Sequence, residues 1–166
     1  MKIRKMIFLS EGRNMHRTDI NTVANFFLSL GDKTMTHKKL QKLCYYSYSW
    51  GKVFFDESIF KNKFQAWVHG PVDPVLYGLY KENRWHPIQQ QSAPEINDEE
   101  LVELLQEVYD SYGHLSGDQL EALTHEELPW KEARAGLQPY EPSRKLIDEV
   151  TIMNYYKKMQ EELQDD

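Results

Sequence analysis

A single cysteine, Cys44, stands in a chain of 166 residues. No disulfide can form within the chain, and no cysteine-rich metal site can be assembled. Such sparing use of cysteine fits a reducing compartment. Long apolar runs are missing too. No stretch approaches the ~20 apolar residues that a membrane span needs. The apolar patch at residues 6–9, behind the basic start MKIRK, is far too short for a secretory leader. The expectation is a soluble, cytoplasmic protein with no membrane partner.

Recognisable catalytic patterns are equally scarce. The chain has six histidines, but none falls in an HExxH arrangement; HEEL at residues 125–128 lacks the second histidine of a zinc protease. No glycine-rich phosphate loop and no GxSxG elbow occur. The acid pairs Glu99-Glu100, Glu126-Glu127 and Glu161-Glu162 sit at helix starts or in the tail, where carboxylates interact well with the helix dipole. The expectation is a protein that is not an enzyme, with no catalytic residue, no metal and no cofactor.

What the chain has in abundance is aromatic surface. Ten Tyr, seven Phe and four Trp make up 13% of the residues. That content, with 40% hydrophobic residues, is incompatible with a disordered polypeptide. One domain is expected from this length, and about 150 residues suffice to bury roughly 68–70% of the unfolded surface. Charge is split along the chain. Residues 1–86 carry 14 Lys and Arg against 7 Asp and Glu; residues 87–166 carry 6 against 19. Either the two halves attract each other within one fold, or the surface is two-signed and recruits charged partners.

Periodicity predicts a mainly helical fold of about six or seven helices around a central one. TDINTVANFFLSLGD reads as a first helix, capped by Thr18 or Asp19 and closed by Gly31. THKKLQKLCYYSYSWGKVFF is apolar over most of its circumference, with Leu40, Leu43, Cys44, Ser47, Trp50 and Gly51 on one face. Only a narrow stripe near Lys38, Lys42 and Ser49 is polar, and this marks the helix as the central one. Cys44 is expected to be a small buried hydrophobe. Residues 64–68 are weakly strand-like, with residues near Ile59 and Phe60 as the expected partner in a small β-hairpin at 59–68. Gly70-Pro71 then breaks the chain, and Asp73-Pro74 restarts it as a helix with Val75, Leu76, Leu79 and Tyr80 on its buried side. Residues 84–98 form the clearest loop. Asn97 with Glu100, Ser116 with Gln119 and Thr124 with Glu127 are capping-box candidates. Pro129 starts a short helix, and Ile152, Tyr155, Tyr156, Met159 and Leu163 stripe a last one. The expected organisation is an N-terminal extension at 1–17 and a single domain at 18–166.

Three segments carry a resemblance. LQKLCYYSYSW is similar to a K-L-x-K-L-x-Y-x-x-x-x-W central helix. FQAWVHGPVDPVLY is similar to A-W-x-x-G-P-V-x-P-x-x-Y, and LEALTHEELPWKEAR to L-T-H-x-x-x-P-W-x-x-A-R. In this order they resemble the Panacea domain, the SocA-like antitoxin or phage-associated GepA-like family, from about Asp19 to Tyr156. Cys44, His69 and Leu128 depart from it, at positions where an aliphatic, an aromatic and a glycine are usual. The resemblance implies a helical antitoxin of a bacterial or prophage toxin–antitoxin pair. Such a protein neutralises a cognate protein toxin, encoded by an adjacent gene, by direct binding. One branch of the family instead delivers its toxin to a ClpXP-type protease. A nucleic-acid-binding regulator is the alternative from a different class. The basic first half, with Lys38, Lys39 and Lys42, supports it; a pI of about 5.5 and the absence of a known motif do not.

Gly70, Pro71 and Pro74 read as backbone punctuation, and Val72 belongs to the same corner. Trp67, His69, Thr124, His125 and Trp130 either pack the motif segments together or present a surface, and buried aromatics at a groove are typical binding anchors. Pro129 and Arg134 complete the third motif. Lys38 and Lys42 are expected to be exposed contacts for a partner.

Overall fold

The computed structural model of the chain describes residues 16–165. In chain order come α1 (Ile20–Leu28), α2 (His37–Phe55), β1 (Gln65–Trp67), β2 (Gly70–Val72), α3 (Pro74–Tyr80), a 3-10 turn (Lys81–Asn83), α4 (Glu99–Tyr112), α5 (Gly117–Glu126), α6 (Leu128–Ala133) and α7 (Glu149–Gln164). The class is mainly α with a small antiparallel hairpin, as the periodicity predicts.

The 19-residue α2 is the axis of the molecule. It packs against α1, α3, α4, α5, α7 and β2, and every residue from Lys39 to Lys52 is buried. Its tyrosines and tryptophan organise the core. Tyr46 stacks on Tyr112 at 3.9 Å between ring centres, Trp50 donates to the Tyr112 hydroxyl at 2.9 Å, and Tyr156 sits edge-on to Tyr45, Tyr46 and Trp50. Aromatic pairs of this kind add about 0.5–1.5 kcal/mol each beyond the area they bury.

The caps follow side-chain chemistry. Asp19, Thr36, Asp73, Asp98, Ser116 and Asp148 each accept from a backbone N–H of the first turn they open, and Ser116 with Gln119 forms the expected reciprocal box. The other two boxes are corrected. Asp98 caps α4 in place of Asn97, and Glu100 instead lies 3.7 Å from Arg17. Thr124 lies inside α5 and donates to the Glu121 carbonyl, while the Glu127 carboxylate turns into the core. Gly31 takes the left-handed φ of 73°, but three residues beyond the end of α1.

The hairpin is shifted from its expected place. β1 pairs with β2 in the register Gln65↔Val72, Ala66↔Pro71, Trp67↔Gly70, and not with residues near Ile59 and Phe60. Ile59 and Phe60 are buried core residues instead. Pro71, which lacks an N–H, is tolerated because β2 is a strand of a two-stranded ribbon. On α3, Leu76 is buried and Tyr80 half-buried, but Val75 and Leu79 point to solvent. Leu76 and Tyr80 are four residues apart on one face; Val75 and Leu79 make a second stripe beside it, and the short helix covers only the first.

Of the expected N-terminal extension, residues 1–15 lie outside the described residues. Arg17 is part of the fold: its guanidinium lies 3.8 Å over the Phe55 ring and pairs with Glu57 and Asp98, each at 2.9 Å. Part of the charge split is used internally. Arg17 with Asp98, Lys38 with Asp118 and Glu121, and Lys52 and Lys63 with Glu149 all join the basic half to the acidic half.

Candidate interaction surface

The three motif segments converge where the hairpin lies between α2 and the α5–α6 corner. The inner side of this junction is a lock. Lys42 is fully buried, and its Nζ donates to the Pro71 carbonyl at 3.2 Å. Gly70, at φ 103°, is required here: a Cβ would stand 2.6 Å from Lys42 Cε and 3.0 Å from Thr124 Oγ1. Gln41 clamps Asp73, just past β2, through both main-chain groups, donating to its carbonyl and accepting from its N–H, each at 2.9 Å. The Asp73 carboxylate then caps α3 at Leu76, and Pro74 opens that helix from an exposed position.

Arg134 closes the other side. It is buried among carbonyls, donating to Ala66 at 3.0 Å, Gln138 at 3.2 Å and Glu141 at 2.6 Å, and it faces the Trp130 ring at 5.2 Å. Trp130 donates to the Trp67 carbonyl at 2.8 Å and stacks on His125 at 3.8 Å. Pro129, buried, starts α6 in the first-turn position that needs no N–H. Among the sequence-predicted residues, Lys42, Gly70, Pro71, Val72, Thr124, Pro129 and Arg134 are therefore interior.

The expected exposure of Lys38 and Lys42 is corrected. Lys42 is enclosed by β2 and α5; burial, and less so the Lys38 charge, brings its pKa down to about 7 against the attraction of Glu121. Lys38 is half-buried and bound by Asp118 at 2.9 Å and Glu121 at 2.6 Å. Burial alone would lower its pKa; the two carboxylates raise it overall. The polar stripe of α2 thus points at a lid of motif residues, not at solvent.

The outer side of the junction is aromatic and histidine-rich. His69, at the hairpin tip, is exposed and lies 3.1 Å from Glu121. Trp67 is half-buried and meets the Tyr77 ring edge-on at 4.9 Å; Tyr77 in turn lies 5.7 Å from the His37 ring. His37 Nδ1 and His125 Nε2 are buried and have no hydrogen-bond partner among the described residues. Burial holds both imidazoles below their ordinary pKa, helped by the charge of Lys42. Burial thus favours the uncharged form of both rings. The sequence reading held Tyr77 only as the last position of the second motif, with no site role, and it missed Glu121. The i, i+3 spacing of Pro74 and Tyr77 placed the tyrosine beside the Gly-Pro corner, but only the fold shows that it meets Trp67.

A family model for the SocA-like antitoxin, Panacea domain, matches residues 40–131. The chain belongs to this family. The matched stretch begins at Leu40 in α2 and ends at Lys131 in α6, so the Panacea match contains the hairpin, Lys42, Thr124, His125 and Trp130; Lys38 and Arg134 flank it. No curated protein and no solved structure matches the chain. Among the described residues, no group of His, Cys, Asp and Glu has the geometry to hold a metal ion, and no helix is long and apolar enough to cross a membrane.

The Panacea lock and its outer aromatics divide the labour. Buried donors fix the hairpin against α2 and α6, and Trp67, His69, Tyr77 and Trp130 stay partly accessible on the surface they build. A rigid scaffold carrying half-exposed aromatics is chemically suited to binding another protein.

Proposed function

We propose that this chain is an antitoxin that holds a cognate protein toxin inactive by direct, stoichiometric binding. The observation that carries the reading is membership of the SocA-like antitoxin family across the stretch that builds the hairpin junction. The partly accessible Trp67, Tyr77 and Trp130 supply aromatic anchors for such an interface. The toxin is encoded beside this chain's gene, and the pair acts in the cytoplasm. Capture of this kind needs no catalytic group, so inhibition saturates when the two proteins are equimolar.

The test is inducible expression of the neighbouring gene in bacteria, with and without this chain, followed by co-purification. Growth arrest relieved by this chain, with both proteins eluting together at unchanged toxin level, is the expected result. Rescue that depends on a ClpXP-type protease and removes the toxin would replace direct binding with delivery for degradation. A steeply salt-dependent DNA complex without toxin binding would replace it with gene regulation.

A further inference from the structure

The outward face of α3 and the turn after it expose more apolar surface than their own packing uses. Val75 is 58% exposed, Leu79 55% and Trp85 72%. Val75 and Leu79 are one helical turn apart, on the same side. Between them in the chain is Gly78, in the middle of a short helix. Glycine there weakens the helix by roughly 0.8–1 kcal/mol relative to alanine. Nothing in the fold asks for it: a Cβ at Gly78 would meet no atom within 4 Å. The bare position keeps the face open to close approach from outside. The chain then enters a second unfavourable conformation. Arg84 has φ 53° and ψ −119°, a region costly for a residue with a side chain, and the next residue is the exposed Trp85.

The charges around this face have one dominant sign. Lys81 and Arg84 are exposed at its C-terminal end. At its N-terminal end the exposed Lys61 precedes Asn62, which donates to the α3 cap Asp73 at 3.2 Å. None of these three cations is in an ion pair among the described residues. Glu82 is the one carboxylate in residues 74–86, which the cap Asp73 precedes. On a chain of net charge −6, three exposed cations without an ion pair thus frame apolar side chains that are themselves exposed.

We propose that the outer face of α3, with Trp85 as its anchor, is the toxin-docking face, and that it receives a toxin segment whose apolar side chains are flanked by carboxylates. This rests on the antitoxin reading and adds the location and chemistry of the interface. Val75, Leu79 and Trp85 supply the desolvated centre. Lys61, Lys81 and Arg84 supply the rim that speeds encounter and sets orientation. Gly78 lets the partner's chain lie against the helix backbone.

The experiment compares the wild-type chain with Gly78→Gln, Trp85→Ala and, on the exposed side of α4, Glu103→Ala. The probe is the purified product of the neighbouring gene. Thermal melts are expected to show Gly78→Gln at least as stable as wild type, because glutamine is the better helix former. Binding is expected to weaken about 30-fold or more for Gly78→Gln and Trp85→Ala, with loss of growth rescue, and to stay unchanged for Glu103→Ala. Wild-type affinity is expected to fall as salt rises. Full binding and rescue by both face variants would overturn the proposal while leaving the antitoxin reading intact. So would a wild-type dimer that both face variants convert to monomer, since a second copy would then occupy the face. If the wild-type chain neither binds nor rescues, the antitoxin reading falls and the docking face falls with it.

Discussion

Removing the buried ammonium of Lys42 isolates the main pH-sensitive element of the hairpin lock. Lys42 has one acceptor, the Pro71 carbonyl, in a fully buried setting, and its pKa is brought down to about 7 from the ordinary 10.5. In the unfolded chain the same group keeps its proton up to about pH 10.4. Between pH 7 and 10 the unfolded state therefore binds more protons, so stability rises with pH and is lost as pH falls toward 7. With these two values the wild-type chain gains about 2 kcal/mol from pH 7 to pH 9 through this group alone. Glu127, brought up to about 7, opposes that by only ~0.4 kcal/mol over the same interval. Lys42→Met fills the same space and removes the titration. Loss of the Pro71 hydrogen bond shifts the variant by an amount independent of pH, so it drops out of the comparison. Urea unfolding at pH 7, 8 and 9, followed by tryptophan fluorescence, measures both chains. For slopes of about 1–3 kcal/mol per molar urea, the wild-type midpoint should rise by roughly 1 M relative to the variant. Parallel midpoints across this range would refute the reasoning, and would mean that Lys42 stays charged and solvated in the fold.

Glu127 runs in the opposite sense at lower pH. Burial brings its carboxyl up to about 7 despite hydrogen bonds from Tyr46 and Tyr156. The wild-type chain therefore loses stability as pH rises from about 4.5 to 7, and Glu127→Gln should abolish this loss and be about 3 kcal/mol more stable at pH 8, read by the same denaturation. Arg134→Lys should destabilise the chain by about 2–4 kcal/mol, measured by thermal melts, because an ammonium cannot fork to the carbonyls of Ala66, Gln138 and Glu141.

Much of the helical order was legible because every helix but α6, which Pro129 opens, announces itself with a short polar cap. Asp73-Pro74 and Ser116 with Gln119 are where the pattern predicted. The central place of α2 was legible from its lack of a wide polar face. What failed was the fate of the polar residues it does have. Lys39 ends at the carbonyl of Gly113, 74 positions away, and Lys42 at that of Pro71, 29 away. Ser47 and Ser49 return their hydroxyls to the carbonyls of Leu43 and Tyr45 on their own helix. Periodicity counts polarity and cannot see acceptors that arrive from distant segments. The hairpin register failed for a similar reason: Gly70-Pro71 signals a break, and only the buried Lys42 explains why glycine and a donor-less residue pair as a strand there. Val75 and Leu79 were assigned inward because apolar residues usually are. On a seven-residue helix with one covered face, that rule runs out.

The enclosure of α2 also has a consequence in time. Its partners are made late: Trp50 waits for Tyr112, Tyr46 for Glu127, and Tyr45 for Tyr156, separations of 62, 81 and 111 residues. At about 5–20 residues per second, roughly 5–20 s of synthesis lie between Tyr45 and Tyr156. Until that interval ends, the most aromatic helix of the growing chain lacks the part of its cover that α7 supplies. A chain that stops before α7 leaves the Tyr45 side of that helix open, so α7 is the seal on the aromatic core.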